Sequence, residues 1–185
     1  MNVSRRAVIK NLLLVSVGAT LIPSCMQEKS KASLLLHNIE VSGEDEKLLA
    51  ELGETLIPVS DTPGAKDVYT HLFALKMVDD CTTKADQDQF LKGMKSFNDL
   101  SQKRFKKSFV AATPAERQSL LTAIEAKTDI PEDVLAFYKM AKRLTIQGYV
   151  TSKYFMGEVQ HYQLIPGQFN GCAPVKSSNQ KAYKV

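Results

Sequence analysis

The sequence predicts an all-α fold, a single bundle of about five to six helices that ends in an irregular segment rich in glycine, proline and aromatic residues. Leucine and phenylalanine recur at three- and four-residue spacing through much of the chain, which is the period of an amphipathic helix. Helix-capping residues precede several of these stretches, and no stretch shows the sustained two-residue alternation of a half-buried strand.

The first 24 residues have the composition of an export signal. Arg5 and Arg6 precede an apolar or small run at residues 11–22. About a dozen residues are too few for a membrane-spanning helix, which needs roughly 20, but they suit the apolar region of a signal peptide. "SRRAVIK" resembles a twin-arginine signal, and "LIPSC" at residues 21–25 resembles a bacterial lipobox with Cys25 as the lipidated residue. The alternative is a short core helix with a basic lead-in.

Removal of residues 1–24 changes the charge and the cysteine content of the chain. The formal net charge of +4 falls to about +1, which does not favour a nucleic-acid partner. The mature protein is then expected on the periplasmic side of a bacterial membrane, anchored by lipid at Cys25, with residues 25–41 as a tether. The remaining Cys81 and Cys172 either form one disulfide in that oxidising compartment or stay as buried thiols.

The predicted helical domain covers residues 42–176 and is followed by a polar tail at residues 177–185. Its first helix begins after Ser42, whose side chain can form a reciprocal capping box with Asp45, and Pro58 ends it. Its apolar face consists of Leu48, Leu49, Leu52 and Leu56.

The next two helices are predicted from their apolar faces alone. The second face consists of Val68, Leu72, Leu75 and Val78. The third face consists of Phe90, Met94, Phe97 and Leu100, and is expected to continue to Phe105 and Phe109.

A capping motif predicts the fourth helix. Thr113 can cap it, Pro114 suits the first helical position and Glu116 completes the capping box. The buried faces of the fourth and fifth helices are expected to be Leu120, Leu121 and Ile124, then Val134, Leu135, Tyr138, Ala141 and Leu144.

The chain carries no sequence motif for catalysis, and we assign it no catalytic, cofactor-binding or metal-binding residue. His37, His71 and His161 are too far apart in sequence to form a close ligand pair, and no Cys-x-x-Cys motif occurs. Glycine-rich nucleotide-binding loops and the Gly-x-Ser-x-Gly motif are absent from the sequence. The acidic pairs Asp79–Asp80 and Asp86–Asp88 are expected at helix ends and on the surface.

The most unusual stretch is residues 144–174, where aromatic residues alternate with glycines and turn-forming prolines. Tyrosine and phenylalanine offer large contact areas with few rotatable bonds, so they are favoured at protein interfaces. From the residues alone, these side chains either form such an interface or pack the end of the bundle. Thr151 and Ser152 could cap a further short helix.

This stretch resembles the C-terminal signature of the gluconate 2-dehydrogenase subunit 3 family, and the upstream "ETLIPVSDTPGA" is similar to the family's first-helix exit. Val150 stands where the family has an aromatic residue, and Lys153 where it has an acidic one. The matching residues are Leu144, Thr145, Gly148, Tyr149, Thr151, Ser152, Tyr162, Pro166, Gly167, Phe169, Gly171, Cys172 and Pro174.

The resemblance implies a non-catalytic small subunit. In that family a large FAD-dependent (GMC-type) subunit oxidises the sugar or polyol, a cytochrome c subunit carrying haem c can receive the electrons, and the small subunit assists assembly and export. The residues expected to bind the partner are Tyr149, Thr151, Ser152, Tyr162, Pro166, Gly167, Phe169, Gly171 and Cys172. The other interpretation is a stand-alone lipid-anchored helical binding module of the bacterial envelope.

Overall fold

A computed structural model describes residues 32–127, 129–160, 162, 164–165 and 167. Within these residues it contains five α-helices and no β-strand, which confirms the predicted all-α bundle. The helices are α1 (Gly43–Leu56), α2 (Thr70–Cys81), α3 (Lys84–Phe105), α4 (Pro114–Glu125) and α5 (Glu132–Val150), followed by a π-helical turn (Phe155–Val159).

Local capping explains where α1 and α4 begin. The hydroxyl of Ser42 accepts the N–H of Asp45, and the Asp45 carboxylate accepts the N–H of Ser42, so both backbone groups are satisfied. Thr113 and Glu116 form the same reciprocal arrangement before α4. Both predicted capping boxes are therefore confirmed.

Two predicted helix ends are wrong. Val68 lies in a turn before α2, which begins only at Thr70 because Tyr69 adopts a left-handed backbone conformation. The third helix ends at Phe105, because Lys106 is also left-handed, so Phe109 follows the helix instead of extending it. Phe109 nevertheless reaches the core and is fully buried.

The core centres on α5, which packs mainly against α3 and α2. The rings of Phe90 and Phe137 lie 5.0 Å apart, those of Phe97 and Phe137 5.4 Å, and those of Phe97 and Phe109 4.8 Å. Tilted or edge-on aromatic pairs at these distances add about 0.5–1.5 kcal/mol each beyond their buried area. The phenylalanine cluster therefore joins α3 and α5 to the loop that carries Phe109.

Gly93 permits the close approach of α3 to α5. A Cβ atom at this position would lie 2.4 Å from the carbonyl oxygen of Asp133 and 2.5 Å from the Cβ of Phe137. Both are atoms that cannot rotate away, so any larger residue would separate the helices.

The segment before α1 is fixed against α1 and α2 from Ser33 onward. Both the N–H and the hydroxyl of Ser33 donate to Glu46, at 2.6 and 2.7 Å. Ile39 is buried in the core. The second half of the segment predicted as a tether is thus attached to the bundle.

Asp79 holds this segment, and the expectation that it lies on the surface is wrong. Its carboxylate is fully buried and accepts the backbone N–H groups of His37, Asn38 and Ile39, with shortest distances of 2.9, 2.6 and 3.1 Å. Burial alone would raise the pKa of Asp79, but these three hydrogen bonds and nearby Lys76 lower it, so the carboxylate is ionised. The other three acids of the two pairs are exposed as expected.

Candidate functional site

The loop between α1 and α2, residues 57–69, is held in one conformation by Glu54. One carboxylate oxygen accepts the N–H of Val59 at 3.0 Å, and the other accepts the N–H of Lys66 at 3.2 Å. Gly64 fits under this carboxylate, since a Cβ there would lie 2.7 Å from its oxygens. A single side chain of α1 thus joins both halves of the loop.

Further contacts join the loop to α4 and α5. The hydroxyl of Tyr149 donates to the carbonyl oxygen of Pro63 at 2.9 Å. The Nζ of Lys66 lies 2.6 Å from the carboxylate of Glu51, which also pairs with Arg117 of α4. Burial raises the pKa of Glu51, but the hydrogen bonds and charges of Lys66 and Arg117 outweigh this effect and lower the pKa below its ordinary value. The ion pairs therefore persist at neutral pH.

Tyr69 ends this loop in a strained conformation. Its φ of 56° and ψ of 37° lie in the left-handed region, which costs a non-glycine residue about 1–2 kcal/mol. The residue is 64% exposed, and its ring lies 6.3 Å from that of His71. The left-handed conformation is held by backbone hydrogen bonds to Lys66 and from α2, and it leaves a large aromatic side chain exposed beside the loop.

A compact turn follows α5. The hydroxyl of Ser152 accepts the N–H of Phe155 at 3.2 Å, as expected of a capping residue, and the ring of Phe155 lies 6.1 Å from that of Tyr149. The residues Phe155–Val159 form a π-helical turn, closed by a 2.8 Å hydrogen bond from the N–H of Gln160 to the carbonyl of Phe155.

The loop and the turn line a groove of about 490 Å³, which we call the tyrosine groove. Tyr69 contributes to one wall and Tyr154 to the other. Exposed apolar side chains continue from the groove along the C-terminal segment, among them Val159 and Tyr162. The lining residues are Asp67, Val68, Tyr69, Ser152, Lys153, Tyr154, Gly157 and Glu158.

In the part of the chain that the structure describes, no group of three or more His, Cys, Asp or Glu residues lies close enough to hold a metal ion. No helix there is long and apolar enough to cross a membrane. The Nδ1 atom of His71 is buried without a hydrogen-bond partner among these residues, and burial lowers its pKa, so the imidazole is neutral at pH 7.

Comparison with known families identifies the domain. A family model described as gluconate 2-dehydrogenase subunit 3 matches residues 43–167. The chain belongs to this family. Comparison with curated proteins and with solved structures found no match. The matched region begins with α1 and includes both walls of the tyrosine groove, so the groove is part of the subunit 3 domain.

The predicted partner-binding residues of this subunit 3 domain take different positions. Tyr149 forms a hydrogen bond to the loop, and Ser152 forms one within the turn. The hydroxyl of Thr151 donates to the carbonyl of Gln147 at 2.8 Å, and Tyr162 is exposed. Gly167 is exposed as well. Outside the described residues lie Arg5, Arg6, Cys25, Pro166, Phe169, Gly171 and Cys172.

Cys81 is exposed at the end of α2, so the expectation of a buried thiol there is wrong. The pairing of Cys81 with Cys172 stays a prediction, because Cys172 lies outside the described residues.

Sequence reasoning missed Tyr69 and Glu54, which respectively line the tyrosine groove and hold its loop. Tyr69 has no recognisable signal in the sequence, because a left-handed residue is normally marked by glycine or asparagine and neither stands there. Glu54 looks like one more acid on an exposed helix face. The only available signal was the neighbouring "PVSDTPGA", whose turn residues predict a defined loop.

Proposed function

We propose that this subunit 3 family protein is a non-catalytic accessory subunit of a periplasm-facing, FAD-dependent sugar or polyol dehydrogenase. The family is named as the third subunit of gluconate 2-dehydrogenase, so a multi-subunit complex is the natural setting. The tyrosine groove carries the proposal, because it presents the exposed Tyr69 on a loop fixed by polar contacts, opposite the half-buried Tyr154. In this role the chain docks the flavoprotein subunit and assists its assembly, export and tethering.

The groove has the features of an interface hot spot. Tyrosine is enriched among the few residues that dominate binding energy. Binding to a preformed surface avoids the entropy cost of ordering a loop, which is about 0.5–1.5 kcal/mol for each immobilised side chain. The contacts of Glu54 and Tyr149 have already fixed the loop in the free subunit. The groove therefore suits a protein partner.

In this role the N-terminal residues would direct export and membrane attachment. Arg5 and Arg6 would direct export through the twin-arginine route, which accepts folded proteins and so suits a partner that acquires FAD in the cytoplasm. Cys25 would carry the lipid that holds the complex on the periplasmic side of the membrane. FAD belongs to the partner subunit, and haem c to a cytochrome subunit where one is present.

Purification from native membranes tests the central proposal. A C-terminally tagged chain, solubilised in mild detergent, should co-purify with a second polypeptide whose absorption spectrum is that of a flavin. Recovery of the chain without any flavoprotein would overturn the proposal. Recovery with a small ligand or a different envelope protein would instead favour the stand-alone binding module.

Two variants test export and membrane attachment separately. Changing Arg5 and Arg6 to lysine should leave both subunits in the cytoplasm, and a partner that still reaches the periplasm must carry its own signal. Changing Cys25 to alanine should release the subunit from washed membranes. A Cys25→Ala protein that still sediments with membranes would show attachment through the partner.

A further inference from the structure

A second groove, distinct from the tyrosine groove, runs along the outer face of α5 beside the C-terminal end of α4. Its volume is about 890 Å³, and its floor is apolar, with Ile124, Leu135 and Ile146 among the lining residues. Ile146 is 45% exposed, although it is a large apolar side chain in the last third of α5. We call this feature the basic groove, because of the side chains along its rim.

Positive charge predominates among the unpaired side chains of the rim. Lys127, Lys139 and Arg143 line the groove, and none of them forms an ion pair within the described residues. Glu132 is the one lining acid that is likewise without an ion pair among those residues. The groove therefore offers three available cations against one available anion.

The other acid of the rim, Glu125, already has two partners within the chain. It pairs with Lys142 and accepts a hydrogen bond of 2.7 Å from the hydroxyl of Tyr138. Burial, together with Glu125, raises the pKa of Tyr138, so its hydroxyl remains a donor at all ordinary pH values. Glu125 therefore does not cancel the charge of Lys127, Lys139 or Arg143.

The basic groove is continuous with the C-terminal end of α5. Residues three or four apart on a helix lie on the same face, and Leu135, Lys139, Arg143 and Ile146 follow that spacing. Val150, one turn beyond Ile146, is 37% exposed and immediately precedes the turn that lines the tyrosine groove. A partner seated at the tyrosine groove could therefore extend along α5.

We propose that the basic groove binds an acidic amphipathic helix of the flavoprotein subunit. An apolar floor with cations along the rim complements a helix that has leucine-like side chains on one face and Asp or Glu at its borders. From Leu135 to Ile146 the groove spans twelve residues of α5, about 17 Å, which matches roughly three turns of a docked helix. A concave floor of this kind favours a helix over the flat surface of an anionic membrane.

This inference rests on the proposed function, and charge reversal separates the two. The Lys139→Glu/Arg143→Glu variant changes two exposed side chains that have no ion pairs among the described residues. Lys95→Glu/Lys103→Glu is the matched control, since both lysines are exposed on α3 and the net charge changes equally. Affinity for the purified flavoprotein should fall about 10- to 100-fold in the groove variant and stay within about twofold in the control.

Salt dependence should accompany this loss. The wild-type affinity should weaken as salt rises from low to physiological concentration, and the groove variant should show a shallower dependence, because exposed charges are screened by salt. Equal affinity and equal salt dependence for the wild type and the groove variant would overturn the inference. Absence of flavoprotein binding in the wild type would instead overturn the proposed function.

Cross-linking identifies the occupant. A zero-length carbodiimide reagent, which joins amines to carboxylates, should link Lys127 or Lys139 in the purified complex to Asp or Glu of one amphipathic helical segment of the flavoprotein. Lys153 in the tyrosine groove serves as the internal reference. Links from Lys153 without any from Lys127 or Lys139 would contradict the assignment. So would charge-dependent binding to anionic phosphatidylglycerol vesicles by the wild type, lost in the groove variant, with flavoprotein affinity unchanged.

Discussion

Two regions of the molecule each contain one residue with an unfavourable backbone, namely the contact between α3 and α5 and the tyrosine groove. Gly93 is a poor helix former within α3, and the close packing of α3 against α5 compensates for it. Tyr69 adopts the left-handed conformation beside the tyrosine groove, and its ring remains mostly in solvent. Helix packing compensates for the first, whereas hydrogen bonds of the Tyr69 backbone at the start of α2 compensate for the second and leave the ring exposed.

The largest effect is expected from Gly93→Ala. Its new Cβ would lie 2.4 Å from a backbone oxygen, so α3 and α5 must separate, and the free energy of unfolding should fall by about 3 kcal/mol. Urea unfolding of the purified protein measures this. Gly157→Ala is the matched control at the groove, where no atom lies within 4 Å of the new Cβ, and it should change stability by less than about 0.5 kcal/mol. Equal stability of the two variants would mean that the helices are not in close contact.

A smaller loss of stability is expected from Asp79→Asn, since Asp79, like Gly93, acts within the folded subunit. Asparagine cannot accept three backbone hydrogen bonds with a full charge, so stability at pH 7 should fall by about 2 kcal/mol. The exposed neighbour supplies the control, since Asp80→Asn should cost less than about 0.5 kcal/mol.

The Asp79 effect should depend on pH in a defined direction. The folded pKa of Asp79 lies below its ordinary value of 3.8, so its stabilising contribution is complete above that value. The contribution is lost as pH falls from 3.8 through the lower folded pKa. The difference in unfolding free energy between wild type and Asp79→Asn should therefore be constant from pH 7 to 5 and shrink in more acidic solution. A difference that grows in acid would contradict the assignment of an ionised, hydrogen-bonded carboxylate.

The smallest stability change, and the opposite sign, is expected from Tyr69→Gly. Glycine adopts the left-handed conformation without strain, and the lost ring is mostly exposed, so unfolding free energy should rise by about 0.5–1 kcal/mol. Tyr69→Ala keeps the strain and should show no such gain. A clear loss of stability in Tyr69→Gly would show that the ring supports the free subunit, and the comparison with Gly93 would then fail.

The features that the sequence predicts are local ones. The capping boxes at Ser42 and Thr113 join residues three apart, so "SGED" and "TPAE" are enough to locate the starts of α1 and α4. Asp79 could not be recognised in this way, because the backbone groups that it binds lie about 40 residues earlier in the chain. The close contact at Gly93 likewise exists only once α5 is in place.

The candidate site likewise combines local features, which the sequence predicts, with tertiary ones, which it does not. The C-terminal motif directs attention to Tyr149 and Ser152, and the structure places both at one end of the bundle, although as internal supports. The exposed ring of Tyr69 comes from a segment about 80 residues earlier in the sequence. The loop that carries this ring is held by contacts of Glu54, Glu51 and Tyr149, which are tertiary and so cannot be derived from residue spacing.

The affinity of purified flavoprotein for wild type and Tyr69→Gly, with unfolding free energies measured on the same samples, tests the role of the groove most directly. Removing an aromatic hot spot typically costs at least about 2 kcal/mol of binding energy, so Tyr69→Gly should bind at least tenfold more weakly while being no less stable than wild type. Equal affinity of the two proteins would contradict the account, because the exposed ring of Tyr69 would then make no contribution to binding.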